Sequence, residues 1–245
     1  MFTKKVNLQT GTHLKKERRG RPAGTTPQGQ EMRERLYATA IRLISKHGYE
    51  STTLRTVADS AGVSVGLLYK YFPGKRAIVI ELYDRLSDEF VSRVADAKAG
   101  KWRDRFIFTL KTSLDVLGPH RSTLAALIPV LVGDPNEGVF APSAALSRLR
   151  VEKVFHDAVS GATDVPAAKL ASALARLLYL LHLSVILWWL LDRSPKQKAT
   201  EGLVALLQRI LPSAALALRF PPIPSFVISG DALLRDALLS DPPAE

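Results

Sequence analysis

An all-α protein is predicted by three features of the sequence. Apolar residues recur at helical spacing from Gln28 nearly to the end of the chain. No segment of useful length alternates with the period of two that a half-buried strand needs. Glycine and proline fall mostly between the periodic segments rather than inside them. The 245 residues are ample for a core. At 47% apolar and with mean hydropathy +0.05, the composition is that of a folded chain rather than a disordered one.

Residues 1–27 are polar, rich in Lys, Arg, Thr and Gly, and carry no periodicity. They read as a flexible basic arm. Residues 28–74 follow as a head of three helices. In the first, Leu36, Ala40, Leu43 and Ile44 form one stripe, and Gly48 stands where a helix ends after Lys46 and His47. Thr52 or Thr53 caps the second, whose inner face is Leu54, Val57, Ala58 and Ala61; Gly62 stops it. Ser64 caps a third over Val65–Phe72, and Pro73-Gly74 breaks the chain.

Residues 75–220 read as a larger helical body. A long helix starts near Lys75 and runs to about Ala99, with Ile78, Leu82, Leu86, Phe90 and Val94 in line. Further helices are expected over Trp102–Leu117, Arg121–Val132, Ser143–Ser160, Pro166–Asp192 and Pro195–Leu218, the last kinked at Pro212. Residues 221–245 form a tail. Pro221, Pro222 and Pro224 forbid helix there, and a short helix is expected over Asp231–Leu239. Helix spacing is irregular, so no repeat array is expected.

Charge is unevenly spread. The formal net charge is +11, and residues 1–75 hold 14 Lys+Arg against 5 Asp+Glu. Of these, the arm at residues 1–27 carries 7 Lys+Arg against 1 Asp+Glu. The remaining 170 residues are nearly neutral, with 20 against 18. The N-terminal third therefore faces a polyanion. No apolar run follows the basic start, so a secretory signal peptide is not expected. The longest apolar stretch, Leu177–Leu191, is 15 residues, below the roughly 20 of a membrane span, and reads as a buried helix. A cytosolic protein is expected.

The segment Thr53–Lys75 carries the chemistry. Ala58 is small where two helices cross, Gly62 supplies a positive φ for the tight turn, and Val63 and Leu68 plug the angle between the helices. The helix after the turn then offers its outer face to a DNA major groove, which is wide enough for one helix. The ordered string Gly62-Val-Ser-Val-Gly-Leu-Leu-Tyr-Lys-Tyr-Phe-Pro-Gly-Lys75 resembles the TetR family of transcriptional regulators, with similarity over about Gln28–Arg85. Beyond residue 100 the similarity is in general character only.

That resemblance implies a homodimer that binds a palindromic DNA operator through two N-terminal heads. It implies a helical C-terminal domain that dimerises as a four-helix bundle and often holds a small ligand, with repression the usual mode. By position it implies that Thr53 lies near a phosphate and that Arg55 reaches a base edge or phosphate. Ser64, Val65, Gly66 and Leu67 then face bases, Tyr69 and Tyr71 meet phosphates, and Lys75 clamps a phosphate. Val65, Gly66 and Leu67 carry no side-chain donor, so Arg55, Ser64 and Lys70 are expected to supply the polar readout, with thymine methyls meeting Val65 and Leu67. Phe72 is expected to pack and Tyr69 to point outward.

In the arm, Arg18-Arg19-Gly20-Arg21-Pro22 resembles the core of an AT-hook. Arg19 and Arg21 would then lie in a narrow A·T minor groove. A solvated basic tail that adds affinity without choosing sequence is equally open.

In the body, Trp188, Trp189, Leu190 and Leu191 make both sides of one helix apolar, which suits burial against the core and against a second copy. Trp102, Phe106, Phe108, Phe155, Tyr179, His182 and Trp188 are candidate walls of a pocket, although core is the first reading of each, His182 included as a hydrogen-bonded core histidine. Such a pocket suits a small hydrophobic or aromatic effector. No cofactor and no metal are expected: the chain has 5 His, none paired at i, i+4, and no Cys. Ser184 and His182 stand two apart on one helix and do not face each other. With no Gly-rich phosphate loop either, an enzyme is not expected. Two other readings stay open: a nucleic-acid packaging protein without sequence preference, and a helical carrier of hydrophobic ligands.

Overall fold

The computed structural model describes residues 26–134 and 136–238, and among them every regular element is helical. The head consists of α1 (Pro27–His47), α2 (Leu54–Ala61) and α3 (Val65–Tyr71). The body adds α4 (Lys75–Val94), α5 (Trp102–Leu117), α6 (Arg121–Ala126), α7 (Ile128–Gly133), α8 (Ala145–Ser160), α9 (Ala168–Leu191), α10 (Lys198–Ala217) and α11 (Ile223–Leu238).

Local chemistry sets the head's corners. Pro27 opens α1, and the Gly29 N–H donates to Thr26 Oγ1 at 3.0 Å. Thr53 and Thr56 cap α2 reciprocally: the Thr56 N–H donates to Thr53 Oγ1 at 3.1 Å, and the Thr53 N–H donates to Thr56 Oγ1 at 3.0 Å. Gly62 ends α2 in the left-handed region at φ 65°, ψ 38°, a conformation that glycine adopts without a Cβ penalty. The Leu67 N–H donates to Ser64 Oγ at 3.2 Å and starts α3. The core beneath these turns joins Leu36, Ala40 and Ile44 of α1 to Val57, Ala58, Leu68 and Phe72, each at most 1% exposed.

The body is layered around α4, α5, α8 and α9, which pack on one another. Leu82, Phe106, Leu110 and Phe155 are fully enclosed at its centre. By length and composition α9 is apolar enough to cross a membrane, with mean hydropathy 1.9 over its most apolar 18 residues. In this fold 44% of that window is buried, against α5, α8 and α11 among others.

Three segments differ from the sequence expectation. Helix α4 ends at Val94 rather than at about Ala99. The single helix expected over Arg121–Val132 is two, broken at Leu127, because Pro129 has no N–H to give the Ala125 carbonyl and its ring crowds that carbonyl. The tail forms the 16-residue helix α11 rather than a short one. Pro224 is tolerated because it sits in the first turn, where the missing N–H has no intrahelical partner to lose. Helix α11 docks on α9, and the Arg176 guanidinium grips the Asp231 carboxylate through two hydrogen bonds, the Nε one at 2.6 Å. Helix α10 continues through Pro212.

Candidate nucleic-acid interface and interior cavity

The head presents one polar, exposed edge. Thr53, Arg55, Ser64, Gly66, Tyr69 and Lys70 are all exposed, and Val65, Leu67 and Tyr71 are partly so. Tyr69 is 53% exposed while Phe72, three residues on, is fully buried under the Arg33 guanidinium, 4.5 Å above its ring. Arg55 and Lys70 make no ion pair among the described residues, so both cations are available to a partner. The fold thus gathers the nine predicted residues from Thr53 to Tyr71 around the α2–α3 corner. Arg19 and Arg21 lie outside the described residues, as does most of the arm.

Lys75 has a more specific setting than the sequence suggested. Its ammonium lies 3.8 Å over the Tyr49 ring and donates to the Tyr49 carbonyl at 2.6 Å. Its side chain therefore ties α4 to the α1–α2 turn, while the N-terminus of α4 opens beside it with Gly74 as cap. The Tyr49 hydroxyl in turn donates to Glu137 Oε2, on the segment between α7 and α8. Burial, with help from the Glu137 carboxylate, holds the Tyr49 phenol well above its usual pKa.

A second joint fastens α1 to α4. Arg85 donates to both Glu34 oxygens, at 2.9 and 2.6 Å, and also to Glu81. Arg33 pairs with Glu81 and donates to the Tyr71 carbonyl at 2.8 Å. The Arg85 hydrogen bonds hold the Glu34 carboxyl below the usual carboxylate range.

Inside the body, α4, α5, α8 and α9, with residues of α6 and α7, line a partly open cavity of about 150 Å³. Its wall is mostly apolar, with Leu86, Phe90, Val116, Leu124, Leu131, Val139, Val151 and Ile186 among its residues. Of the predicted pocket residues, Tyr179 and His182 line it. Phe106 and Phe155 do not: they are fully buried in the aromatic cluster behind His182, Phe155 with its ring centre 4.7 Å from the imidazole. Trp102 is core at the start of α5, its N–H donated to Asp164 Oδ1 at 2.8 Å. Trp188 and Phe108 point away, 50% and 41% exposed.

His182 Nε2 and Ser113 Oγ share a hydrogen bond of 2.7 Å, the ring stacks on Phe90, and Nδ1 has no partner within the described protein. Complete burial drives the imidazole pKa down to about 3. The group is neutral in the fold, whereas in the unfolded chain it takes a proton near its ordinary value. Its contribution is therefore present above that value and is lost as pH falls toward about 3. Between pH 6 and 5, where few carboxylates titrate, urea unfolding should show stability falling by up to about 1.4 kcal/mol per pH unit, and His182→Gln should flatten that slope.

Sequence reasoning missed several residues that complete these sites. Tyr83, Ser113 and Arg148 reach the cavity, and Tyr49 and Glu137 join head to body. Their partners are remote in sequence, and no local spacing announces them.

The corner geometry and the helical body define a helix-turn-helix protein with a large all-α second part. Residues 36–82 match the family model described as bacterial regulatory proteins, tetR family. The chain is 42% identical over 72 residues to the HTH-type transcriptional repressor KstR of Mycobacterium tuberculosis (strain ATCC 25618 / H37Rv), a match covering 29% of this chain and 30% of that repressor. It is 27% identical over 189 residues to the uncharacterized HTH-type transcriptional regulator Mb1581 of Mycobacterium bovis, covering 75% of this chain and 89% of the relative. The chain thus spans about three tenths of the length of the KstR repressors it matches, and most of the length of the Mb1581 regulator. In fold it is similar to a tetR-family transcriptional regulator from Streptomyces coelicolor, at TM-score 0.57 and 23% identity over 86% of this chain and 96% of that one. A TetR transcriptional regulator from Nitrosomonas europaea aligns at TM-score 0.54 and 20% identity, covering 76% and 99%.

Proposed function

We propose that the protein is a sequence-specific DNA-binding transcriptional regulator, a cytoplasmic repressor that reads a palindromic operator as a homodimer and responds to a small apolar effector. The observation that carries this reading is the α2–α3 corner. A short helix stands on a closed apolar core and turns Ser64, Gly66, Tyr69 and Lys70 outward beside Arg55. That is the shape and charge that a major groove accepts. The relatives over this region are named as repressors and regulators, and no catalytic step is assigned.

In this reading Thr53, Tyr69, Tyr71 and the N-terminus of α4 at Lys75 hold phosphates and set the register. Arg55, Ser64 and Lys70 read polar base edges, and Val65, Gly66 and Leu67 make close apolar contact. Arg19 and Arg21 of the arm add affinity along the duplex or in its minor groove. A second copy covers the exposed apolar residues of α9 and α10, where Trp188, Leu191, Leu206 and Ile210 are each at least half exposed.

The effector occupies the 150 Å³ cavity. Leu131 and Val139 of its wall flank the segment that carries Glu137, which holds Tyr49, which holds Lys75 beneath the head. A ligand that favours one placement of this segment thereby favours one placement of the head.

The reading is tested with a duplex selected from a random pool by the full-length protein. Arg55→Ala should weaken binding by about 1–3 kcal/mol and relax preference at one base position. Lys70→Ala should do the same at another position. If Lys70→Ala leaves sequence preference intact and only lowers the salt dependence, Lys70 serves phosphate rather than bases.

A further inference from the structure

We infer that the open cleft between the start of α5, the α8–α9 connection, the end of α10 and the start of α11 binds an anionic amphiphile: one apolar chain ending in a carboxylate or phosphate. This cleft shares no wall residue with the cavity read as the effector site, and the inference does not rest on that reading.

Both sides of the cleft are held in place by the fold. The Trp102 N–H donates to Asp164 Oδ1 at 2.8 Å, and the Thr163 N–H donates to the Gly100 carbonyl at 2.9 Å, which ties the α8–α9 connection to the start of α5. On the other side, Arg176 and Asp231 fasten α11 to α9. The space between is about 800 Å³, within the roughly 300–1,000 Å³ common for small-molecule sites.

Charge sets the head of the ligand. Lys101, Arg103, Lys169 and Arg219 stand around the cleft, against Asp164 as the sole carboxylate of its wall. Asp164 is already engaged, by Arg103 at 3.5 Å and by the Trp102 N–H. Lys101, Lys169 and Arg219 are exposed and make no ion pair among the described residues. Residues 76–245 hold 20 Lys+Arg against 18 Asp+Glu, so three unpaired cations here are a feature of this cleft and not of the body at large. Cations gathered in one place repel one another, and an anion among them offsets that repulsion.

The wall sets the rest of the ligand. Pro166, Leu170, Pro212, Ala215 and Ile228 line it, and Val165 and Leu216 are each about half exposed. An inorganic anion would leave this apolar surface in water, whereas an apolar chain covers it. The cleft also stays clear of the second copy proposed above. Ala215 follows Leu206 by nine residues, about two and a half helical turns, so the side of α10 that lines the cleft is opposite the side that Leu206 offers to a partner.

The test is calorimetric titration of the full-length protein, without DNA, with dodecanoate, butyrate and dodecyltrimethylammonium, each below its micelle concentration. Dodecanoate should bind at least about tenfold more tightly than either of the others. The variant Lys101→Gln/Lys169→Gln/Arg219→Gln changes only exposed side chains and should keep the fold, while dodecanoate affinity falls about tenfold. Dodecanoate affinity unchanged in the triple variant would place the amphiphile elsewhere and overturn the inference. Butyrate binding as tightly as dodecanoate, the cationic amphiphile binding as tightly as the anionic one, or no binding of dodecanoate would each overturn it too. So would sedimentation with phosphatidylglycerol vesicles that the triple variant loses, in the absence of dodecanoate binding, because the cations would then serve a membrane surface. Because DNA is absent, these results stand apart from the DNA-binding reading, which the duplex experiments test alone.

Discussion

Replacing Phe72 by alanine should destabilise the head by about 3–5 kcal/mol, the cost of emptying a fully buried aromatic site. Phe72 closes α3: its N–H donates to the Leu68 carbonyl at 2.9 Å, its ring fills the space beneath the α2–α3 corner, and Arg33 covers the ring. Removing the ring leaves the Arg33 guanidinium over a void and frees α3 from the core that aims it. Urea denaturation should show a large fall in midpoint, and affinity for the selected duplex should fall with it. Tyr69→Ala provides the contrast. That side chain is 53% exposed, so stability should change by less than about 0.5 kcal/mol while DNA affinity still drops. Equal stability losses from the two variants would mean that α3 is not oriented as described.

Asp231→Ala should cost about 2 kcal/mol and loosen α11. The Asp231 side chain is 7% exposed and receives two hydrogen bonds from Arg176 of α9. Loss of one partner from a buried pair typically costs about 3–5 kcal/mol, because the other charge stays desolvated. Arg176 keeps about a third of its side-chain surface, so water relieves part of that cost and the lower figure applies. Limited proteolysis should then cut within Ile223–Leu238 in the variant and not in the parent. The double replacement Arg176→Met with Asp231→Leu should recover most of the lost stability, since no charge is left unpaired. Failure of the double variant to recover would show that the pair's geometry, rather than its charge balance, holds α11.

What was legible in the sequence was local. Helix starts and stops in the head follow from residues that act within one turn of themselves: Thr53 and Ser64 as caps, and Gly48 and Gly62 at positive φ. The buried face of each head helix follows from its apolar period, and the outward Tyr69 and inward Phe72 follow from their places on it. The break at Leu127 was also available in principle, since Pro129 stands in plain view; apolar continuity across Arg121–Val132 concealed it. The helix at 223–230 was hidden for the opposite reason. Three prolines signal a break, but only position within the first turn decides whether Pro224 breaks anything.

The cavity was legible only in its chemistry. Tyr179 and His182 carry the apolar-plus-polar character of a pocket wall, and so do Phe106, Phe155 and Trp102, which are core. The difference between them is which residue of α4, α5 or α8 stands opposite, and helical period does not encode that. The same holds for the path from Glu137 through Tyr49 to Lys75. It spans contacts 88 and 26 residues apart in sequence, which only the packing of α4 against the head reveals.

The α2–α3 corner is proposed to read a defined duplex sequence as one of two symmetric heads. Footprinting of the full-length protein on the DNA upstream of its own gene, at physiological salt, tests this most directly. A short protected segment with two-fold symmetry and half-sites about one helical turn apart, lost on Arg55→Ala, is the expected result. Uniform protection along the fragment that appears only at low salt and is indifferent to Arg55→Ala would contradict it, and would favour packaging by charge alone.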